Sequence, residues 1–178
     1  MRIISGKYKI RTLPGPKGFT ARPTTDFAKE NLFNVLKNNY VLEDIKALDL
    51  FAGTGSISLE LASNGCSSVL TVEKNPKHLA YIQSIIDRLN IAEIELMRGD
   101  ALKFIQRTLL KFDLIFADPP YQMKGISAIP DIIFERGLLN QDGLFILEHS
   151  REYNFSDHPG YTQKKVYGSV NFSFFQPV

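Results

Sequence analysis

The sequence predicts an α/β fold: a mostly parallel central sheet with helices on both faces, an antiparallel strand pair at the C-terminal end and an N-terminal β-hairpin arm. Three observations carry this. Between residues 45 and 149, short apolar runs alternate with longer helical ones, the pattern of a sheet wound by crossover helices. After that the style changes, and "TQKKVYG" and "VNFSFFQ" flank Ser169 as an antiparallel pair. The chain has 178 residues, 44% of them apolar and 22% charged, which suits one domain with a sizeable core. Residues 1–24 read as a basic arm and 25–178 as a single domain.

The elements follow in order. Residues 2–12, "RIISGKYKIRT", read as two short strands around Ser5-Gly6. Pro14, Gly15, Pro16, Gly18 and Pro23 then punctuate a loop. Thr24 or Thr25 can cap a helix running to about Asn38, with Phe27, Leu32, Val35 and Leu36 at near-helical spacing. "IKALDLF" (45–51) is an apolar strand. "GSISLELASNG" (55–65) is a helix closed by Gly65. "SVLTVE" (68–73) is the next strand. The helix over 75–90 has Pro76 in its first turn and Asn90 at its end. Strand 93–99, helix 100–109, strand 112–117, a helix around 127–136 and strand 143–149 complete the alternation.

Charge is uneven. The net charge is only +2, yet Arg2, Lys7, Lys9, Arg11, Lys17 and Arg22 stand in the first 25 residues with no acid among them. A basic arm on a slightly acidic body suggests contact with a polyanion; a solvated tail is the plainer reading. No apolar run approaches the ~20 residues of a membrane span, and the N-terminus lacks the apolar core of a secretory signal. A single cysteine, Cys66, fits a reducing cytoplasm. The three histidines, His78, His149 and His158, lack metal-ligand spacing, so no metal site is expected.

In open sheets of this kind, ligands bind beyond the carboxyl ends of the strands. Each of the five strand ends carries an acid: Asp49 before the glycine loop, Glu73, Asp100, Asp118 and Glu148. In "DLFAGTG" (49–55), Gly53 and Gly55 allow a tight turn and close approach of backbone to a ligand. The third glycine of a dinucleotide fingerprint is absent, because Ser58 stands there. Asp49 would repel a diphosphate and accept an ammonium group, so the loop favours a ligand with an amino-acid end. Phe51, Ala52 and Thr54 complete this loop. Glu73 has two acceptor oxygens for the two hydroxyls of a ribose, or else pairs with Lys74 at the surface. Asp100 either caps the next helix or accepts from an adenine amino group, with the Ala101 N–H beside the ring. An amino-acid end, a ribose and an adenine together make S-adenosylmethionine.

"FADPPY" (116–121) is the fourth strand end. Asp118, the carbonyls of Pro119 and Pro120, and the Tyr121 ring form a rigid turn able to grip a planar group bearing N–H donors. "DLFAGTG" followed by "FADPPY" resembles the class I methyltransferases of exocyclic base amines, which have a Rossmann-like fold. "RPTTDFAKENLFNVL" (22–36) upstream narrows the resemblance to the bacterial 16S rRNA guanine-N2 methyltransferase family that acts on guanine 966. It extends from "IISGKYK" to "KVYGSVNFSFF". It implies methyl transfer from S-adenosylmethionine to a guanine N2 in 16S rRNA. A small protein with a short basic arm has few contacts of its own, so a small-subunit particle is the expected substrate, and a monomer is expected. The resemblance gives Asp118, Pro119, Pro120 and Tyr121 as catalytic, and Asp49, Phe51, Ala52, Gly53, Thr54, Gly55, Glu73, Lys74, Asp100 and Ala101 as cofactor-binding. Arg2, Lys7, Lys9, Arg11, Arg22 and Thr25 are then expected at the RNA. The competing readings are a DNA adenine-N6 methyltransferase and a non-catalytic RNA-binding module on the same fold. The first lacks a target-recognition domain in a chain of this length.

Overall fold

The computed structural model describes residues 1–10, 12–15 and 26–178. Its strands are β1 (Lys46–Leu50), β2 (Ser68–Glu73), β3 (Ile94–Arg98), β4 (Phe112–Ala117), β5 (Leu139–His149), β6 (Tyr161–Tyr167) and β7 (Val170–Phe175). They form one sheet in the order β3-β2-β1-β4-β5-β7-β6. β1 to β5 pair in parallel, while β7 runs antiparallel to both β5 and β6. The helices are α1 (Asp26–Asn39), α2 (Ser56–Ser63), α3 (Pro76–Leu89), α4 (Ala101–Arg107) and α5 (Ile129–Glu135).

Alternation along each strand divides the core in two. Ala47, Val69, Leu114, Ile146 and Phe172 pack beneath α1, α2 and α3. Leu48, Leu50, Val72, Ile115 and Phe145 pack beneath α4 and α5. Burial on both faces is why these strands read as continuous apolar runs. Helix α3 starts as its sequence indicates: the Asn75 side chain accepts from the Lys77 N–H, Pro76 follows, and Asn90 closes the helix in the left-handed region.

Three expectations change. β5 begins at Leu139, four residues before the apolar run suggests. Leu139 pairs with Phe112, then the register shifts so that Leu144 pairs with Leu114. The polar residues between form a bulge, and a Cβ at Gly143 would come within 2.9 Å of the Asn140 carbonyl oxygen. In α1 the buried face is Ala28, Lys29, Leu32, Phe33 and Leu36, whereas Phe27 is 64% exposed. A lysine takes the inner position because a carboxylate, Glu60, awaits it. The caps proposed at Thr24 or Thr25 lie outside the described residues.

The third change is at the N-terminus. Instead of two strands, Ile3 and Ile10 exchange one pair of backbone hydrogen bonds. The segment is also docked on the body, with Ile3 and Leu13 in the core. Glu60, fully buried on α2, accepts from the N–H groups of Ile4 and Ser5 at 2.9 Å each and from the Ser5 hydroxyl. The Lys29 ammonium lies 3.5 Å from Glu60 and donates to the Arg2 carbonyl and to Ser56 Oγ. Burial holds the Lys29 pKa below the ordinary lysine value, against the pull of Glu60. Gly6 makes the turn at φ +80°, where a Cβ would sit 1.8 Å from the Ser63 carbonyl oxygen.

Candidate active site

The strand order reverses between β1 and β4, and both neighbouring strand ends open onto one cavity of about 1030 Å³. The cavity is lined by Asp49, Phe51, Ala52, Gly53 and Thr54 from the first junction and by Glu73 and Lys74 from the second. Asp100 and Ala101 reach it from the third, and Asp118, Pro119, Pro120 and Tyr121 from the fourth. Gly55 stands just behind, as the N-cap of α2.

The glycine loop is a run of alternating left-handed residues: Phe51 at φ +62°, Gly53 at +56° and Gly55 at +72°. A phenylalanine in this region is strained, at a cost of roughly 1–3 kcal/mol. The turn is held by the Ala52 N–H on the Val72 carbonyl and the Gly55 N–H on the Ala52 carbonyl. A Cβ at Gly55 would also come within 2.9 Å of Ile82 on α3. The glycine therefore serves both the turn and the helix packing.

Asp49 lies at the floor, 1% exposed. Its Oδ2 accepts from the Ser58 N–H at 3.0 Å and from the Ser58 hydroxyl at 2.5 Å. Thr71, its neighbour across the β1–β2 register, donates its hydroxyl to Ser58 Oγ at 2.8 Å. The serine that replaces a third glycine is thus the anchor of the acid. Burial pushes the Asp49 carboxyl up to about 7, opposed by the Ser58 hydrogen bonds and assisted by the charge of Glu73.

Glu73 is 9% exposed and is held from two sides. Its Oε2 accepts from the Gly53 N–H and its Oε1 from the Asn75 N–H, both at 2.7 Å. His78 Nδ1 lies 3.4 Å from the same Oε1, and the ring lines the cavity. Glu73 does not pair with Lys74. That ammonium lies 3.4 Å from Asp100 at an exposed position, where a pair contributes little. Asp100 is the N-cap of α4, accepting from the Lys103 N–H at 3.2 Å. That bond first, then Lys74, holds its carboxyl below the usual range.

At the fourth junction the Asp118 N–H donates to the Leu50 carbonyl at 3.4 Å, tying the turn to the end of β1. The Pro120 carbonyl accepts from the Met123 N–H at 2.8 Å. Asp118 is half-buried and Pro119 buried, while Tyr121 is 46% exposed at the mouth. Glu148, buried at the end of β5, and Val170, at the start of β7, complete this side.

Of the residues expected at an RNA, Arg2, Lys7 and Lys9 are among those described. Arg2 pairs with Asp26 at 2.9 Å, Lys7 pairs with Glu93, and Lys9 is exposed. Arg11, Arg22 and Thr25 lie outside the described residues. Sequence reasoning missed Ser58 and Thr71 as supports of Asp49, His78 beside Glu73, and the buried Lys29–Glu60 pair. The i+3 spacing from the cap Asn75 is a signal that places His78 over the strand end. Among the described residues no cluster of side chains could hold a metal ion, and no helix is long and apolar enough to cross a membrane.

Comparison with known proteins gives the family and the fold. The family model described as Conserved hypothetical protein 95 matches residues 1–176. The chain is 31% identical over 183 residues to YlbH of Bacillus subtilis (strain 168), covering 99% of this chain and 98% of that protein. It is 27% identical over 179 residues to the Ribosomal RNA small subunit methyltransferase D of Escherichia coli (strain K12), covering 99% and 89%. Among solved structures, hypothetical protein TTHA0928 of Thermus thermophilus superposes with a TM-score of 0.86 at 26% identity, covering 99% of each chain. The fold is that of the class I methyltransferases, with its parallel sheet, crossover helices and antiparallel C-terminal pair. The chain belongs to the Conserved hypothetical protein 95 family, and its likeness to the small-subunit rRNA methyltransferase D proteins runs along nearly its whole length.

Proposed function

We propose that the protein transfers a methyl group from S-adenosylmethionine to the exocyclic N2 of a guanine in 16S rRNA. The observation that carries this is the meeting of Asp118-Pro119-Pro120-Tyr121 with the acid-bearing glycine loop on one cavity at the β1/β4 reversal. The donor set fits the cofactor. Asp49 suits an ammonium group, Glu73 retains acceptor capacity for ribose hydroxyls, and Asp100 and Ala101, which line the same cavity, would serve an adenine edge. When bound, the cofactor supplies an electrophilic methyl on a sulfonium.

The chain's own residues would do the rest. The N2 lone pair of guanine is delocalised into the ring, so the amine is a weak nucleophile. The Asp118 carboxylate and the Pro119 carbonyl would accept its two N–H bonds and aim the lone pair at the methyl carbon. They also stabilise the positive charge that grows on nitrogen as the N–C bond forms and the S–C bond breaks. The surplus proton then leaves to Asp118 or to water. Tyr121 would stack on the base and fix its plane, and the two prolines limit reorganisation. A target base has to leave its stack to enter.

Two of the arm's three described cations, Arg2 and Lys7, are already paired with acids of the protein. Phosphate contacts from the described part of the arm are therefore few, which favours an assembled small-subunit particle over naked RNA as substrate. The protein would act as a monomer.

The test is tritiated methyl transfer to 30S particles from cells lacking this protein, with nucleoside analysis of the product. N2-methylguanosine in 16S rRNA is the expected outcome. N6-methyladenosine would keep the chemistry and move the target. Asp118→Ala should retain cofactor binding and lose transfer. Turnover within a few-fold of wild type would remove Asp118 from its role.

A further inference from the structure

Phe27 stands out on the surface, because a helix of this amphipathic pattern would ordinarily bury it. It is 64% exposed in the first turn of α1. Its ring meets Tyr167 with centroids 6.2 Å apart and planes at 84°. In an edge-on pair at least one face of each ring stays clear of its partner, so Phe27 presents a flat apolar face outward. Tyr167 is itself braced from behind by Phe172, at 6.1 Å.

Tyr167 lies one cross-strand pair from the cavity. Tyr167 pairs with Val170 across the tip of the β6–β7 hairpin, and Val170 lines the cavity. Cations stand near the two rings. Arg2 pairs at 2.9 Å with Asp26, the chain neighbour of Phe27, both side chains being nearly half exposed. Lys165 stands two positions before Tyr167 on the same face of β6. An isolated exposed phenylalanine needs no explanation. A braced phenylalanine near two cations, next to the cavity, has the chemistry of a nucleotide platform: a π face for a base and positive charge for its phosphate. The apolar area is only two rings wide, which suits one base better than a protein partner.

We propose that Phe27 and Tyr167 form a wall on which a base adjoining the target guanine stacks once the target has been withdrawn from its own stack. This rests on the RNA methyltransferase reading and deepens it by giving the flanking nucleotide a place.

The test compares Phe27→Ala, Phe27→Leu and Phe27→Tyr with wild type in methyl transfer to 30S particles, with S-adenosylmethionine binding and thermal midpoint measured alongside. The expected result is a KM for particles raised about tenfold in the Ala and Leu variants, the scale of one lost base stack. Their kcat at saturating particle and their cofactor affinity should stay within twofold, and the Tyr variant should restore KM. The Leu variant keeps apolar bulk, so loss of packing alone would not move it. If wild type transfers methyl groups and both the Ala and Leu variants keep its KM, the wall is refuted and the methyltransferase reading stands. If wild type transfers to no RNA, that reading falls and takes the wall with it.

Discussion

Cofactor affinity should weaken about tenfold for each pH unit below about 7, the value to which burial pushes the Asp49 carboxyl. An ammonium group seated at Asp49 requires the ionised carboxylate. Below the pKa the ionised fraction falls tenfold per unit, and binding must expel a proton. The amino group of the ligand, ordinarily titrating near 8, stays cationic throughout, so the window from pH 5 to 6.5 isolates the protein side. Calorimetric titration with S-adenosylhomocysteine, which carries the same amino-acid end, reads the slope. Repeating it in buffers of different ionisation enthalpy counts the proton released, which should be near one at pH 5. Asp49→Asn should bind weakly and without this slope. A flat profile in wild type, or the same slope in Asp49→Asn, would refute the assignment. The ligand-free protein carries the opposite sign. A carboxyl raised from 3.8 contributes its stability in full below pH 3.8 and loses it as pH rises through about 7, a difference on the order of 4 kcal/mol.

Removing either partner of the buried Lys29–Glu60 pair should destabilise the fold unequally. Glu60→Leu strands a buried ammonium and leaves the Ile4 and Ser5 N–H groups without their acceptor, at a cost of about 3–5 kcal/mol. Lys29→Met leaves Glu60 its donors from Ile4, Ser5 and Asn64, and should cost less. Urea denaturation giving the reverse order would contradict the burial argument. Gly6→Ala puts a Cβ 1.8 Å from the Ser63 carbonyl oxygen at φ +80° and should lift the N-terminal segment off α2. Unchanged amide exchange at Lys7, whose N–H donates to that carbonyl at 2.8 Å, would show that the segment docks otherwise.

The sequence by itself determined the mostly parallel sheet, the alternation of strands and helices along the chain and the set of acids at the strand ends, whereas the strand order came from the structure. These follow from local causes: apolar runs of strand length, helix caps such as Asn75, and turn residues such as Gly53 and Gly55, each acting over a few neighbours. It also singled out Asp118-Pro119-Pro120-Tyr121, because two consecutive prolines after a strand permit only a rigid turn. Only the tertiary structure decided what each acid touches. Asp49 and Ser58 are nine residues apart and Thr71 thirteen further on, yet they form one buried hydrogen-bonded chain. The alternative pairing of Lys74 with Glu73 gives way to Asp100, since the β2 terminus turns Glu73 toward the Gly53 and Asn75 amides. Lys29 reads as surface in any helical pattern, and Phe27 as core. Their exchange depends on Glu60, thirty-one residues beyond Lys29. A charge enters the interior only where a partner from another element meets it, and no periodicity within one helix encodes that meeting.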